Sequence, residues 1–277
     1  MAFVLGPKAQ AAGYRLVVHD TIASTNQDAL QRAMAGDIGR LWVVSTHQSA
    51  GRGRRGRLWE TPVGNLAASL LLMVEEGAAV GATLGFVAGL ALDEALRRVA
   101  PSLDVVMALD AVEKAGEGGR DRLRLKWPND VLLDGAKLAG ILLEAQAMGG
   151  GRMAIVIGIG VNVTAAPHGL PYPATALAEL GVAVDAVGLF GALSEAWVGV
   201  ARIWDSGRGF RKIRDIWLDR ATGVGQPAAV RVGSEVFSGV FETIDDDGRL
   251  IIRTAEGDRR AISAGEVHFA SAATVCG

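Results

Sequence analysis

Apolar residues recur along the chain in two spacings, which predict a mixture of strands and helices. Short apolar or alternating runs are typical of strands, as where Leu123, Leu125 and Trp127 alternate with basic residues. The strands predicted in the first part of the chain are 14–19, 41–46, 66–74, 123–127, 131–133, 137–144 and 153–163. Asp134-Gly135, between two of these runs, predicts a hairpin turn.

Helix signals begin at Ser24, where a Ser-x-x-Gln capping box opens a predicted helix that runs to about Met34, with Gly36 past its end. Three further helices are predicted at 80–99, 185–206 and 209–220. The apolar run 80–92 is followed at once by charged residues and is too short to span a bilayer. It therefore predicts a buried helix of a protein that stays out of the membrane.

The pattern changes after Gly225, where short strands alternate with polar turns. The strands predicted there are 228–232, 235–244, 249–254 and 259–263. This tail predicts a small β-barrel, residues 223–277, behind a larger α/β (α+β) domain, residues 1–222. Few strand–helix–strand spacings occur, so a mixed sheet is favoured over a doubly wound one. The polar, glycine-rich segment 110–121 predicts an exposed excursion.

Composition narrows the class of protein. Half of the 277 residues are hydrophobic, which provides for a sizeable core. Lys and Arg total 28 against 30 Asp and Glu, whereas a dedicated nucleic-acid binder normally has a basic excess. Cys276 is the one cysteine and no signal peptide is recognisable, so we expect a cytoplasmic protein without disulfides.

The most informative segment is the arginine loop, defined here as residues 48–59, Gln-Ser-Ala-Gly-Arg-Gly-Arg-Arg-Gly-Arg-Leu-Trp. Arginine grips phosphate or carboxylate through paired hydrogen bonds, and glycine lets a backbone approach a ligand closely. The segment therefore predicts a loop that wraps a negatively charged ligand. From residue content alone, nonspecific nucleic-acid binding and a merely solvated surface stay open as alternatives.

Two lysines form the second candidate. Lys126 begins Lys-Trp-Pro-Asn-Asp, and Lys137 begins Lys-Leu-Ala-Gly eleven residues later. We expect both ammonium groups to reach one cleft from adjacent strands, without a nearby acidic excess, and so to require an anionic ligand. Ordinary surface lysines are the alternative, which Pro128 beside Asn-Asp weakens because it specifies a particular turn.

Ser24-Thr25-Asn26 is the third candidate. Helix capping explains these residues completely. Alternatively, their hydroxyl and amide groups contact a polar ligand at the positive end of the helix.

These segments, in this order, resemble those of bacterial biotin–protein ligases (biotin–acetyl-CoA-carboxylase ligases). The resemblance spans about 15–270 and includes 24–26, 48–59, 126–130, 137–144 and 158–162. It implies a mixed-sheet catalytic domain of the biotin/lipoate-ligase type with a C-terminal SH3-like barrel. The implied activity joins biotin to ATP as biotinyl-5′-AMP, and then transfers biotin to a lysine of a biotin carboxyl carrier protein.

The resemblance also implies site residues. Those implied to bind biotin are Ser24, Thr25, Asn26, Gln48, Arg52, Gly53, Arg54 and Lys137. Those implied to bind ATP or the adenylate are Arg52, Arg54, Arg55, Trp59, Lys126, Asn129 and Asn162, with Trp59 stacked on adenine. Lys137, Arg54 and Lys126 are the implied catalytic residues. Asp130 and Asn162 are expected to support the site more than to act chemically.

ATP and biotin are the implied substrates, with Mg²⁺ on the ATP and no metal cluster held by the protein alone. The implied partner is the carrier; nucleic acid and membranes are not expected, and a homodimer is left open. The first strand is predicted close to the N-terminus, so the helix-turn-helix domain of the repressor-type members is not expected. A lipoate–protein ligase or octanoyltransferase shares the fold and is the alternative, although such proteins are not expected to carry the arginine loop.

Overall fold

Seven strands form one mixed sheet in the computed structural model, which describes residues 2–103 and 122–269. The strands are β1 (Arg15–His19), β2 (Leu41–Ser45), β3 (Leu66–Val74), β4 (Leu123–Lys126), β5 (Asp130–Leu133), β6 (Ala136–Ala147) and β7 (Met153–Val161). Their order is β1-β2-β3-β7-β6-β5-β4, with β1 and β2 parallel and the other neighbours antiparallel. The predicted mixed sheet is confirmed. The predicted excursion 110–121 and Cys276 lie outside the described residues.

Helices cover both faces of this sheet. They are α1 (Pro7–Ala11), α2 (Thr25–Met34), α3 (Ala78–Ala82), α4 (Leu84–Val99), α5 (Ala186–Trp204) and α6 (Phe210–Asp219). On one face α4 and α5 pack into the main core, where the rings of Trp42, Phe190 and Trp197 meet edge to face. On the other face α2 covers only one end, through Ala29 and Ala33. The remaining part of that face is left for the site.

The prediction of one continuous helix at 80–99 is wrong in one respect. The helix is interrupted at Thr83 and so forms α3 and α4. The Thr83 hydroxyl donates to the Val80 carbonyl (2.6 Å) and accepts from Trp204 Nε1 (2.7 Å). This competition with the helical hydrogen bonds ends the first helix. The segments 78–99 and 186–207 are long and apolar enough to cross a membrane, but much of each is buried inside the fold. The buried character predicted for 80–92 is confirmed.

The last part of the chain forms a separate antiparallel sheet, which corresponds to the predicted SH3-like barrel. Its strands are β8 (Pro227–Val232), β9 (Glu235–Ile244), β10 (Leu250–Arg253), β11 (Arg259–Ile262) and β12 (Glu266–Phe269), in the order β11-β10-β9-β8-β12. The pattern did not predict β12, which has only four residues and is held by pairing with β8. A domain boundary at 222/223 stays a prediction.

The connection between the two sheets is attached to β4. Leu125 N donates to Arg220 O (2.9 Å), and Thr222 N donates to Leu125 O (2.8 Å). The Arg220 guanidinium also pairs with Asp93, which is fully buried on α4. These contacts bring the second sheet beside Lys126, the last residue of β4.

Candidate active site

A cavity of about 500 Å³ lies on the part of the large sheet that α2 leaves uncovered. Its floor comes from β6 and β7, and its walls come from the start of α2, the arginine loop, the β4–β5 turn and β12. The described residues that line it include Ser24, Thr25, Asn26, Gln48, Arg52, Gly53, Arg54, Arg55, Trp59, Lys126, Asn129 and Lys137. The structure thus brings together nearly all of the predicted site residues.

Glycines make the floor of the cavity. Gly140 on β6 is directly opposite Gly160 on β7. A Cβ at Gly160 would lie closer than 3.0 Å to the Trp59 indole, and one at Gly140 would lie 3.0 Å from Trp59 Cζ3. Gly158 is equally confined, since its Cβ would overlap the Asn26 amide. These positions therefore require glycine so that side chains from the walls can reach the floor.

A polar cluster closes one end of the cavity. Ser24 caps α2 as predicted, accepting from Gln27 N (3.4 Å). The backbone N–H and the hydroxyl of Thr25 donate to Gln48 Oε1 (2.8 and 3.0 Å). The Asn26 amide donates to Glu144 Oε2 (2.8 Å). Amide and hydroxyl groups are thereby held in fixed orientations toward the cavity.

Ser69 supports this cluster and was missed from the sequence. Its Oγ is fully buried on β3, 2.7 Å from Thr25 Oγ1 and 2.5 Å from Asn26 Oδ1. The one available signal was a lone serine inside the apolar run 66–74. A buried hydroxyl in such a run generally has a hydrogen-bond partner, but the sequence does not show which one.

The arginine loop folds back on itself in a tight turn. Gly53 N donates to Arg57 O (2.7 Å), and a single 3₁₀ turn covers Arg54–Gly56. Arg54 Nη1 donates to Asn129 Oδ1 (3.0 Å), and Asn129 in turn donates to Ile141 O (2.6 Å). Burial lowers the pKa of Arg54, and its neighbour Arg55 lowers that pKa further. The arginine nevertheless remains charged at neutral pH.

Both predicted lysines line the cavity, but one expectation about them was wrong. They lie on β4 and β6, which are separated by β5, and so not on adjacent strands. An acid is also close, since Lys137 Nζ is 2.7 Å from Asp130 Oδ1. Lys137 Nζ lies in addition 5.5 Å from the Trp59 ring centre and 5.4 Å from that of Tyr172. Aromatic faces at this range favour a cation, so the ammonium has a defined place.

Lys126 is desolvated where it lines the cavity. Burial lowers its pKa, Asp130 opposes that change, and the nearby charge of Lys137 adds to it. Its Nζ lies 5.9 Å from the ring centre of Phe269, the last residue of β12. Lys126, Lys137 and Arg54 therefore share one region of the cavity, where a ligand anion would relieve their mutual repulsion.

Asn162, implied by the resemblance to bind ATP, stands apart from the described residues that line the cavity. It is buried, and its amide donates to Thr175 O (3.1 Å) while its backbone N–H donates to Leu138 O (2.9 Å). Its contacts connect Leu138, the residue after Lys137, with the segment at Thr175. The expected supporting role of Asn162 and its implied contact with ATP both stay predictions.

The second sheet contributes residues that sequence reasoning missed. Arg231, Glu266 and His268 line the cavity from β8 and β12. Glu266 pairs with Arg55 and Arg57 of the arginine loop. Tyr172, from the segment before α5, was missed as well. No local pattern marks these positions, because only the packing of the two sheets brings them to the site.

The chain belongs to the biotin/lipoate A/B protein ligase family, which matches residues 19–162. Residues 223–269 match the biotin protein ligase C-terminal domain. Among curated proteins, the biotin–[acetyl-CoA-carboxylase] ligase of Paracoccus denitrificans is 42% identical over 89% of this chain and 97% of that protein. The Mycobacterium tuberculosis protein of the same name is 35% identical over 88% of this chain and 85% of that protein. The resemblance based on the motifs is confirmed.

Solved structures show the same fold. The biotin protein ligase of Aquifex aeolicus, in complex with biotin and ATP, superposes with a TM-score of 0.71 at 23% identity. The match covers 92% of this chain and 98% of that chain. It supports the two-part architecture of a mixed sheet followed by an antiparallel sheet.

Proposed function

We propose that the protein is a biotin–protein ligase that activates biotin with ATP to biotinyl-5′-AMP and then transfers biotin to a lysine of a carrier protein. The observation that carries the proposal is the division of one cavity into two ends. Amide and hydroxyl groups gather at the start of α2, where the Glu144 carboxylate that accepts from Asn26 is compensated by Arg52, while Arg54, Lys126 and Lys137 supply positive charge at the other end. Such a division suits an uncharged ureido ring joined through an acyl chain to a phosphate.

At the neutral end, Ser24, Thr25, Asn26 and Gln48 are assigned to biotin. Their donors and acceptors are already oriented by hydrogen bonds among themselves and to Ser69, Thr61 and Glu144. A site whose polar groups are pre-oriented loses little entropy when the ligand replaces solvent. The glycine floor lets Asn26 and Trp59 lie against β7, which places both side chains where the ligand binds.

The charged end is assigned to the acyl–phosphate junction. The biotin carboxylate attacks the α-phosphorus, pyrophosphate leaves, and negative charge develops on the phosphoryl oxygens. A unit charge pair about 4 Å apart contributes roughly 4 kcal/mol at an effective dielectric near 20. Lys137 and Arg54, with Lys126, can therefore stabilise this transition state without any covalent enzyme nucleophile.

The second step uses the same charges. The carrier amine attacks the acyl carbonyl, AMP is the leaving group, and a tetrahedral oxyanion forms in between. We assign the stabilisation of that oxyanion to Lys137, whose ammonium is held by Asp130 and by two aromatic rings. Trp59 is assigned to adenine stacking and Asn129 to the base, with Arg52 and Gly53 over the ligand.

In the proposed reaction, Mg²⁺ binds to the protein together with ATP. Within residues 2–103 and 122–269 no group of three or more His, Cys, Asp or Glu side chains is arranged to hold a metal. Magnesium in phosphoryl-transfer sites is commonly held by substrate phosphates and one or two carboxylates. Asp130 and Glu266 are carboxylates that line the cavity, but Asp130 pairs with Lys137, and Glu266 pairs with Arg55 and Arg57, so the ATP phosphates are assigned as the main ligands of the ion. The ion would neutralise charge on the polyphosphate.

The acceptor is proposed to be the biotinyl domain of acetyl-CoA carboxylase or of a related carboxylase, in the cytoplasm. The test is mass spectrometry of a purified carrier domain incubated with the protein, biotin, ATP and Mg²⁺. We expect a mass increase of one biotinyl group that requires both ATP and the target lysine. Parallel reactions with lipoate or octanoate address the alternative. Modification of a lipoyl carrier, with none by biotin, would refute the proposal.

A further inference from the structure

Glu266, at the start of β12, contacts two arginines of the arginine loop. Its Oε1 lies 3.5 Å from Arg55 Nη1 and forms an ion pair with Arg57 Nη2. About a quarter of the Glu266 side chain is exposed, 27%, so the carboxylate is partly shielded from water. The second sheet thus grips the loop through one side chain that none of the sequence motifs contains.

The opposite side of the loop is fastened to the large sheet. Arg54 Nη1 donates to Asn129 Oδ1 (3.0 Å) at the turn between β4 and β5. Between these two attachments the backbone of Arg55 has φ 58°, a left-handed conformation that arginine rarely adopts. Such a conformation persists only where surrounding contacts determine it. The two attachments therefore hold the loop across the cavity in a specific shape.

The position of Glu266 is itself well defined. It is the register partner of Arg231, at one end of the pairing between β8 and β12. A Cβ at the preceding Gly265 would lie closer than 3.0 Å to Val230, so the chain enters β12 tightly against β8. At the other end of β12, Phe269 lies beside Lys126. A short strand fixed at both ends is a rigid support for one carboxylate.

We propose that Glu266 is a positioning residue that latches the arginine loop over the acyl-adenylate until the carrier docks. This inference rests on the proposed function and assigns a role to the second sheet. The loop arginines have different roles: Arg54 attaches the loop to Asn129 and lines the cavity beside the ligand, whereas Arg55 and Arg57 hold the loop through Glu266. An acyl-adenylate that escapes is hydrolysed or reacts with other lysines, so a closed loop protects the intermediate.

A different role for Glu266 would have effects of the opposite sign. A carboxylate in the cavity wall also repels the phosphates of ATP and competes with them for Arg55 and Arg57. If competition were its main effect, removal of the charge would tighten ATP binding and slow the loss of the adenylate. If Glu266 instead latches the loop, removal of its charge must speed the loss of the adenylate.

The test compares Glu266→Gln, which keeps the size and loses the charge, with Glu235→Gln, an exposed position in the same sheet. Two quantities are measured: the dissociation rate of biotinyl-adenylate, and hydrogen exchange of residues 52–58 in the ligand-free protein. For Glu266→Gln we expect dissociation roughly threefold to tenfold faster, the size expected for two partly exposed ion pairs. Exchange in the loop should also be faster, at an unchanged thermal midpoint, whereas Glu235→Gln behaves as wild type.

A double-mutant cycle separates a latch from general loosening. Arg57→Gln should release the adenylate faster as well, and Glu266→Gln with Arg57→Gln should be no worse than the stronger single variant. Additive effects, unchanged loop exchange, or slower adenylate release would each overturn the latch. Because exchange is measured without ligand, it tests the latch even if the wild-type protein forms no biotinyl-adenylate, a result that would refute the proposed function instead.

Discussion

Gly140 and Gly160 face each other across β6 and β7, and the absence of side chains at both positions lets the ring of Trp59 lie on the sheet. The floor of the cavity is therefore backbone. The site therefore depends on the absence of side chains at Gly140 and Gly160 as much as on the charged groups that line the cavity.

Gly160→Ala should abolish most of the activity by displacing Trp59. Its Cβ would lie closer than 3.0 Å to the indole, with the backbone of β7 unable to retreat. We expect kcat/KM for ATP to fall by at least about tenfold, roughly 1.4 kcal/mol of lost transition-state stabilisation. Gly199→Ala on α5, where nothing lies within 4 Å of the new methyl group, is the matched control. Equal activity of both variants would show that the floor does not need glycine.

Lys137→Met should slow both half-reactions, because one ammonium serves the phosphoryl and the acyl transition states. Loss of one such charge typically costs about 100- to 1000-fold in rate. Pyrophosphate release measures the first step, and single-turnover transfer from isolated biotinyl-adenylate measures the second. Lys212→Met, on the exposed side of α6, controls for loss of a lysine. A defect confined to the first step would contradict the shared role.

The lowered pKa of Lys126 predicts that activity declines at alkaline pH. Burial lowers its pKa in the folded protein, so its charge is lost at a pH below the ordinary lysine value of about 10.4. Adenylate formation at low ATP should decline above the lowered pKa, and the decline should move to higher pH in Lys126→Arg. Conversely, ligand-free stability should rise as pH passes from the folded pKa toward the unfolded one, because the unfolded chain then binds more protons. A pH–rate profile identical in both proteins would exclude Lys126 as its source.

Arg54→Gly should release the adenylate and label bystander proteins. The variant removes both the hydrogen bond to Asn129 and a cation at the junction. Streptavidin blots of cells expressing the variant should show many biotinylated proteins. Arg152→Gly, in the exposed turn between β6 and β7, is the control. Off-target biotin no greater than with wild type would count against a protective loop.

Asp93→Asn should destabilise the protein, because it leaves Arg97 and Arg220 facing a neutral side chain that is fully buried. Breaking a buried ion pair costs about 3–5 kcal/mol, and the partial exposure of both arginines places this case near the lower figure. Urea denaturation measures the change. The neighbouring exposed pair of Glu94 and Arg98 provides the comparison, since Glu94→Gln should cost less than about 1 kcal/mol. Equal losses would show that burial of Asp93 is unimportant.

Local signals were sufficient for most of the fold. The strand 66–74 was predicted with its observed bounds, because an apolar run with one serine begins after Gly64-Asn65 and ends at two glutamates. The start of α2 followed from the capping box at Ser24. The predicted site residues on the loop and the hairpin also meet in one cavity, since glycine, arginine and lysine were recognised by the chemistry they offer.

Long-range contacts account for what was missed. Thr83 interrupts a helix where its hydroxyl donates to Val80 O and accepts from Trp204, and no pattern near Thr83 reveals the contact with Trp204. Asp130 follows Asn129 in the sequence, but its pairing with Lys137 depends on the register of β5 and β6. Glu266 reaches the arginine loop only because the two sheets pack together. The sequence identifies the chemistry that each segment offers. The packing of the fold decides which segments contribute to the same site.

The most direct test of the account is a crystal structure of the protein with a non-hydrolysable biotinyl-adenylate analogue. We predict the ureido ring among Thr25, Asn26 and Gln48, and the acyl–phosphate link within hydrogen-bond distance of Lys137 Nζ and Arg54. An analogue bound with its phosphate away from both cations, or with its rings reversed in the cavity, would contradict the account.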